Sequence, residues 1–396
     1  MNVLIAGAGI AGLTAAISFA LRGADVVVLE QAHELGDVGA GIQLSANAMH
    51  VMQSIGLNNI LERRACEPIA GTLRNYKTGR PYFSQPLKSA HERRYGAKYL
   101  HVHRADLISS LYEKALSVGV KIHLGQTLTS YRQVQTSIEA KSNTGNLFSS
   151  DLLIGADGIH SCVRDTLLAN NPAQSNKAQF TGQVAWRGVL ASTSVRKGII
   201  PPDANVWLGP GRHFVAYYLR GGELINFIAV EERKSWAEES WSTRGDIEAL
   251  RSAFSNWDPA IGELLEATND CYLWGLFDRP PLSKWHDGRA VLIGDACHPM
   301  LPFMAQGGAM SIEDAYVLAA EVMRNANLGK ALEAYEASRK PRTEMVQAIS
   351  RANAKLYHAG GPTSELKKKL QFSVATALPQ IAHYRFDKIY GVDVTA

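Results

Sequence analysis

Three glycines in the run GAGIAG, Gly7, Gly9 and Gly12, carry the sharpest chemical pattern of the N-terminal region. Gly7 permits a tight turn, Gly9 lets a pyrophosphate approach the backbone, and Gly12 lets a helix pack close to a sheet. The N–H groups that open such a helix are free to receive phosphate oxygens. Glu30 lies about twenty residues farther on, where an acidic residue takes a ribose hydroxyl pair. A carboxylate there repels a 2′-phosphate, so the dinucleotide is FAD or NAD rather than NADP. A purely structural glycine turn is the competing reading. In a second region, RHFVAYYLRGG, an imidazole and a phenol stand four apart at His213 and Tyr217. On a strand, positions 213, 215 and 217 point to one side, so these two groups share a face, with Tyr218 on the opposite one. A histidine with an ordinary pKa near 6.5 accepts a proton at neutral pH. A structural strand histidine and a core tyrosine are the alternatives.

These residues need elements to hold them. Residues 3–6 (VLIA) read as a buried strand, 11–22 as a helix stopped by Gly23, and 25–30 (DVVVLE) as a second strand, which makes a βαβ unit. Residues 45–65 are helical with a break at Gly56, 71–84 form a hairpin turning at Thr78-Gly79, and 104–118 are helical. Strands are expected at 120–124, 134–140 and 152–156. From about 180 to 232, alternating aromatic-rich segments with Gly/Pro turns predict an antiparallel sheet inserted into the α/β unit. Helical patterning at 244–267 and a strand at 289–293 follow. Ser311-Ile312-Glu313-Asp314 reads as a capping box that starts a long helix running to about Tyr357, broken at 325–328.

The expected fold is α/β: a Rossmann-like dinucleotide domain made of 1–70, 98–178 and 283–358, a substrate domain made of 71–97 and 179–282, and a C-terminal helical tail at 359–396. The chain has 396 residues, 46% hydrophobic and 20% charged, an ordinary globular composition. A net charge of +4 leaves no footprint for nucleic acid. The four cysteines, Cys66, Cys162, Cys271 and Cys297, contain no CxxC, which excludes a disulfide scaffold and a cysteine metal site and suits a reducing compartment. Residues 3–21 are uncharged and near membrane-span length, but they contain the three glycines and follow no basic segment. The reading is therefore a cytoplasmic protein with no membrane span and no bound metal.

Two later motifs decide between FAD and NAD. They are GADGIHSCVR at 155–164 and GDACHPMLPFMAQGGAMSIEDA at 294–315. With GAGIAG, they resemble the class A FAD-dependent aromatic hydroxylases of the para-hydroxybenzoate hydroxylase superfamily. The Cys-His-Pro-Met-Leu-Pro form at 297–302 is most similar to the salicylate and 3-hydroxybenzoate hydroxylase branch. The motifs run from residue 7 to 315, most of the chain.

The resemblance implies roles residue by residue. Asp157, with Gly158, lies near the pyrophosphate and is linked to nicotinamide-cofactor use. Asp295 holds a ribityl hydroxyl, Arg104 contacts the flavin nucleotide, and Leu128 ends a strand whose backbone meets the adenine. Gly307 and Gly308 turn their N–H groups and a helix dipole toward the flavin's pyrimidine edge. Gln43 sits in the flavin loop GAGIQLSANA. His213 and Tyr217 line the substrate pocket, with His213 as the base for a phenol, and Gln306 orients the substrate from the pocket wall. Pro299 offers a backbone carbonyl to flavin or substrate, His298 is structural, and Arg187, Arg212 and Arg220 are the nearest cations for a carboxylate.

The implied reaction is hydroxylation of a small phenolic aromatic acid by O₂ through a flavin C4a-hydroperoxide. With no second complete GxGxxG, NADH or NADPH binds transiently in the domain cleft. Two departures stand out: Gln43 occupies a position where some pyridine-acid hydroxylases carry histidine, and Ser45-Ala46 replace a common Gly-Pro. The alternatives are a same-fold monooxygenase with a bulkier substrate, such as a quinone precursor or secondary metabolite, a flavin oxidase or reductase, and a flavin-binding protein with a structural role. The nicotinamide preference, the ring position, an accompanying decarboxylation and a homodimer formed through the tail are left open.

Overall fold

The computed structural model describes residues 1–35, 40–169, 177–236 and 243–396. Its α/β half is built on the unit expected at the N-terminus: strand Asn2–Ala6, helix Ile10–Ala20, strand Asp25–Glu30. Parallel strands extend it to six in the order 286–287, 290–292, 152–155, 2–6, 25–30, 121–124, the first pairing antiparallel. Val3, Leu4 and Ile5 are buried, as a strand covered on both faces requires.

The stretch 134–140 is not one strand. It crosses a hairpin between strands Leu128–Val134 and Ser137–Ser142, turning at Gln135 with φ +49°. Left-handed backbone at a glutamine carries no glycine or asparagine signal, so the turn is invisible in composition.

The second half is a seven-stranded sheet in the order 272–278, 179–191, 224–232, 212–219, 204–209, 70–75, 81–86. The last two strands are the expected hairpin, with Gly79 at φ +64° and the Asn75 side chain accepting from the N–H groups of Lys77 and Thr78. The sheet is mixed rather than wholly antiparallel, because Ala204–Gly209 runs parallel to Ala70–Asn75. That pairing joins segments far apart in the chain, which local pattern does not register.

Period-two alternation divides this sheet. Trp186, Trp207, Phe214 and Phe227 bury one face together with Leu250, Phe254, Ile261 and Leu264. His213 and Val215 point to the other face. That face is closed by the helix Leu328–His358 and by the C-terminal helices Pro362–Ala377 and Pro379–Tyr390.

The helix at the join of the two halves spans Gly307–Arg324 and starts a turn earlier than the capping-box pattern implies. Ser311 donates back to the Gly307 carbonyl at 2.9 Å, and Glu313 accepts from Arg339, Arg342 and Asn47. Ser311 is thus spent on a back-bond and Asp314, three residues on, on bonds from the Gly294 N–H, His298 and Arg339 rather than on a cap. The break at 325–328 is present, with Asn327 capping the following helix through a bond from the Lys330 N–H at 3.1 Å.

Candidate active site

The glycine loop forms the floor of a crevice. Gly7 adopts φ +101° and its N–H donates to the Leu29 carbonyl at 2.7 Å. A Cβ on Gly12 would stand 1.9 Å from the Gly7 carbonyl oxygen, so only glycine allows this approach. Gly9 caps the helix Ile10–Ala20, with open space beside it and no acidic residue in the first turn. Glu30 ends its strand and accepts from the N–H groups of Ala8 at 2.6 Å and Ala32 at 2.9 Å, which fastens the loop. Each carboxylate oxygen retains lone-pair capacity for a ribose hydroxyl.

Arg104 opens the helix Arg104–Ser117, and Asp295 lies in the turn Gly294–Ala296. Both side chains are surrounded by protein yet open to the crevice, and neither hydrogen-bonds a described residue. Burial pulls the Arg104 pKa down, against the fields of Asp295 and Glu30. Burial raises that of Asp295, against His298 and Arg104. A cation and an acid standing open in a concave site suit a ligand that brings phosphates and hydroxyls, so the residues present fit a flavin dinucleotide.

Gly307 and Gly308 are the first two helical residues after Gln306, so their N–H groups belong to the positive end of that helix. A Cβ on Gly308 would meet Ile42 Cδ1 at 2.6 Å. Asp157 accepts through Oδ2 from the N–H groups of Cys162 at 2.8 Å and Val163 at 3.2 Å, which caps the helix Cys162–Ala169. Leu128 opens a strand rather than ending one and is buried.

On the other side lies a cavity of about 640 Å³ between the seven-stranded sheet and the C-terminal helices. Its wall includes Gln43, Tyr99, His213, Val215, Phe303, Tyr357 and Arg385. The His213 ring sits 5.2 Å from that of Phe303 and 5.3 Å from that of Tyr357, and its Nδ1 is 2.8 Å from His358 Nε2. Burial, then the neighbouring His358, push the His213 pKa well below 6.5. The expectation of an imidazole titrating near neutrality is corrected accordingly: His213 is neutral there.

Tyr217 shares the strand face with His213 but is not part of the cavity wall. It packs on Gly41, where a Cβ would meet its hydroxyl at 2.5 Å, and reaches Gln43. Tyr99 donates to Gln43 Oε1 at 2.6 Å. Gln43, expected with the cofactor groups, thus stands on the cavity wall, held by the Tyr99 phenol.

Gln306 also has a different role from the one expected. Its Nε2 donates to Ser45 Oγ at 3.0 Å and its Oε1 accepts from Asn47 at 3.1 Å, so it is buried in a polar network and is not on the cavity wall. The Pro299 carbonyl accepts from Gln347 at 2.8 Å, which fixes its direction and leaves one lone pair. His298 is structural as expected, bonded through Nε2 to buried Asp314.

The three arginines proposed for a carboxylate are engaged elsewhere. Arg212 pairs with Glu231, Arg220 forks onto Asp106, and Arg187 stacks over Tyr272 and Trp274. The cations on the cavity are Arg385 and Lys367, from the tail helices. Sequence reasoning missed Tyr99, Phe303, Tyr357, His358 and Arg385. A weak signal was available in Tyr357-His358, two aromatic polar residues that close a helix.

A glycine loop with Glu30, Arg104 and Asp295 near one another, and an apolar cavity whose wall reaches Gln43 and Pro302–Ala305 just before Gly307, is the arrangement of a flavoprotein oxygenase. A family model described as FAD binding domain matches residues 1–350, and the chain belongs to that family. The protein is a FAD-dependent monooxygenase of aromatic rings. It is 35% identical over 371 residues to 3-amino-4-hydroxybenzoate 2-monooxygenase of Streptomyces platensis, covering 93% of this chain and 91% of that one. It is 35% identical over 364 residues to 3-hydroxybenzoate 6-hydroxylase of Polaromonas naphthalenivorans, covering 91% and 89%. The solved structure of Klebsiella pneumoniae HpxO with FAD and uric acid superposes with a TM-score of 0.82 at 25% identity, covering 94% and 92%. Among the described residues, no helix is long and apolar enough to cross a membrane and no cluster of three or more His, Cys, Asp or Glu could hold a metal.

Proposed function

We propose that the protein hydroxylates a phenolic aromatic acid of the salicylate or 3-hydroxybenzoate type, using O₂ and NADH or NADPH, in the cytoplasm. The observation that carries this reading is the cavity: aromatic walls, a neutral imidazole at His213, and cations at Arg385 and Lys367. The walls accept the ring, the cations attract the carboxylate, and His213 accepts the phenolic proton, which raises the electron density of the ring. The hydroxybenzoate substrates in the names of the relatives support the same class.

FAD, when bound, supplies the electrons and the activation of O₂. Glu30, Arg104 and Asp295 would hold its polar portions, and Asp157 would lie toward its pyrophosphate. The positive end of the Gly307–Arg324 helix would stabilise the negative charge of a reduced flavin bound against it. Tyr99 keeps Gln43 oriented on the cavity wall. A second reading, a bulkier ring substrate, is favoured by size alone, since 640 Å³ lies within the range of about 300–1,000 Å³ typical of sites for drug-sized ligands.

The test is NADH and NADPH oxidation by the purified holoenzyme with a panel of hydroxybenzoates, following products by mass spectrometry. A panel member that accelerates oxidation and gains one oxygen is the expected result. Acceleration by none of them, with acceleration by larger phenols, would replace this reading with the second.

A further inference from the structure

His213 is 2% exposed, so a proton it takes from a substrate needs a way out. The structure provides a continuous line. His213 Nδ1 lies 2.8 Å from His358 Nε2, and His358 Nδ1 lies 3.0 Å from Glu232 Oε1. His358 is buried at the end of its helix, whereas the Glu232 side chain is 57% exposed. We infer that His213, His358 and Glu232 form a proton line that connects the cavity wall to bulk water. The inference rests on the reading of His213 as the proton acceptor.

The order of the line sets the tautomers. A carboxylate only accepts, so the 3.0 Å contact with Glu232 puts the His358 hydrogen on Nδ1, in preference to the longer 3.3 Å contact from the Gln183 amide nitrogen, which would need a lone pair there. His358 Nε2 is then a lone pair, and His213 must donate to it from Nδ1. His213 Nε2 remains as a lone pair on a ring that faces the cavity, and no described residue occupies it. The exposed carboxylate thus orients a buried base through one intervening imidazole.

Transfer balances without any other reactant. The substrate O–H bond breaks and its proton goes to His213 Nε2. The Nδ1 proton of His213 passes to His358 Nε2, the Nδ1 proton of His358 passes to Glu232, and Glu232 releases it to water. A proton moving inward along the same line, with His213 Nε2 returning its proton to the product oxygen in the cavity, restores the starting tautomers. Burial lowers the pKa of both imidazoles, so neither holds the proton for long near neutrality. The groups facing the line are His358 and Tyr357 around His213. Glu232, Lys368 and the Gln183 amide surround His358, with Glu365 paired to Lys368.

Two measurements test this on the FAD-loaded full chain. Nitrogen NMR of labelled histidines should show His213 and His358 both protonated on Nδ1 at pH 7.5, with that state lost in Glu232→Gln. Nε2-protonated rings in the unsubstituted protein would overturn the line whatever the substrate. With 3-hydroxybenzoate and salicylate as probes, Glu232→Gln should lower kcat on the order of 10-fold, at the modest end of general acid–base effects. KM should stay unchanged, the pH profile should shift, and Glu232→Asp should recover most of the rate. A Glu232→Gln profile that overlays the parent also overturns it. Correct tautomers without stimulation by either probe would support the line and count against the substrate class instead.

Discussion

Arg104 and Asp295 stand open around the nucleotide crevice, while the imidazole of the ring cavity, His213, is closed off from water. The crevice holds its charges ready for a ligand that brings its own. The cavity keeps a neutral base and moves charge away through His358 to Glu232. Binding a polar cofactor needs preformed charge, whereas accepting a phenolic proton in an apolar space needs a group that is neutral beforehand. The two sites also differ in assembly. Residues 7–30 build most of the crevice floor, whereas the cavity joins the hairpin Ala70–Pro86, the strand Arg212–Leu219 and three helices beyond residue 328.

Substitutions that disable one site and spare the other sharpen this contrast. His213→Ala has the largest expected effect: kcat falls about 10²–10⁴-fold, the range for a lost general base, while FAD content per chain stays that of the parent. Stopped-flow turnover beside flavin absorbance checks it, and loss of flavin would mean that the two sites are not separable. Asp295→Ala is the converse. Removing one charge-assisted hydrogen bond of about 1.5–3 kcal/mol should weaken FAD retention roughly 10–100-fold, measured by titrating apoprotein with FAD. Full retention would remove Asp295 from the cofactor site.

A smaller effect distinguishes the cations of the cavity. Arg385 donates to Asn353 Oδ1 at 2.7 Å and lines the cavity beside Lys367. Arg385→Met should raise KM for a hydroxybenzoate on the order of 10-fold and leave a neutral phenol analogue unaffected. Equal losses for both would point to packing instead of carboxylate recognition.

The smallest effect lies at the join between the sites. Burial alone would raise the Asp314 pKa, but His298 and Arg339 hold it down to about 2. A depressed acid contributes stability above its unfolded pKa, about 3.9, and loses it as pH falls toward the folded value. Melting curves between pH 5 and 2 should therefore drop more steeply in the parent than in Asp314→Asn, and parallel curves would contradict the pairing.

How much was legible in the chain follows from the same contrast. Gly7, Gly9, Gly12 and Glu30 announce themselves because turn, helix start and strand end fall within one βαβ unit. The shared face of His213 and Val215 follows from strand alternation alone. Tyr99, Tyr357, His358 and Arg385 had no comparable signal, since each reaches the cavity through packing between distant segments. Gln306 and the Ser311–Asp314 run misled for a related reason. Local pattern offered them to the site and to a cap, but Ser45, Asn47 and Arg339, brought in by the tertiary fold, claim their polar atoms.

The fate of oxygen tests the hydroxylase assignment most directly. Turnover of a stimulating hydroxybenzoate under isotopically labelled O₂ should yield a ring product with one labelled oxygen per NAD(P)H consumed, and His213→Ala should divert those electrons to hydrogen peroxide. A parent enzyme that consumes NAD(P)H and returns every labelled oxygen as peroxide, with the aromatic acid unchanged, would contradict it.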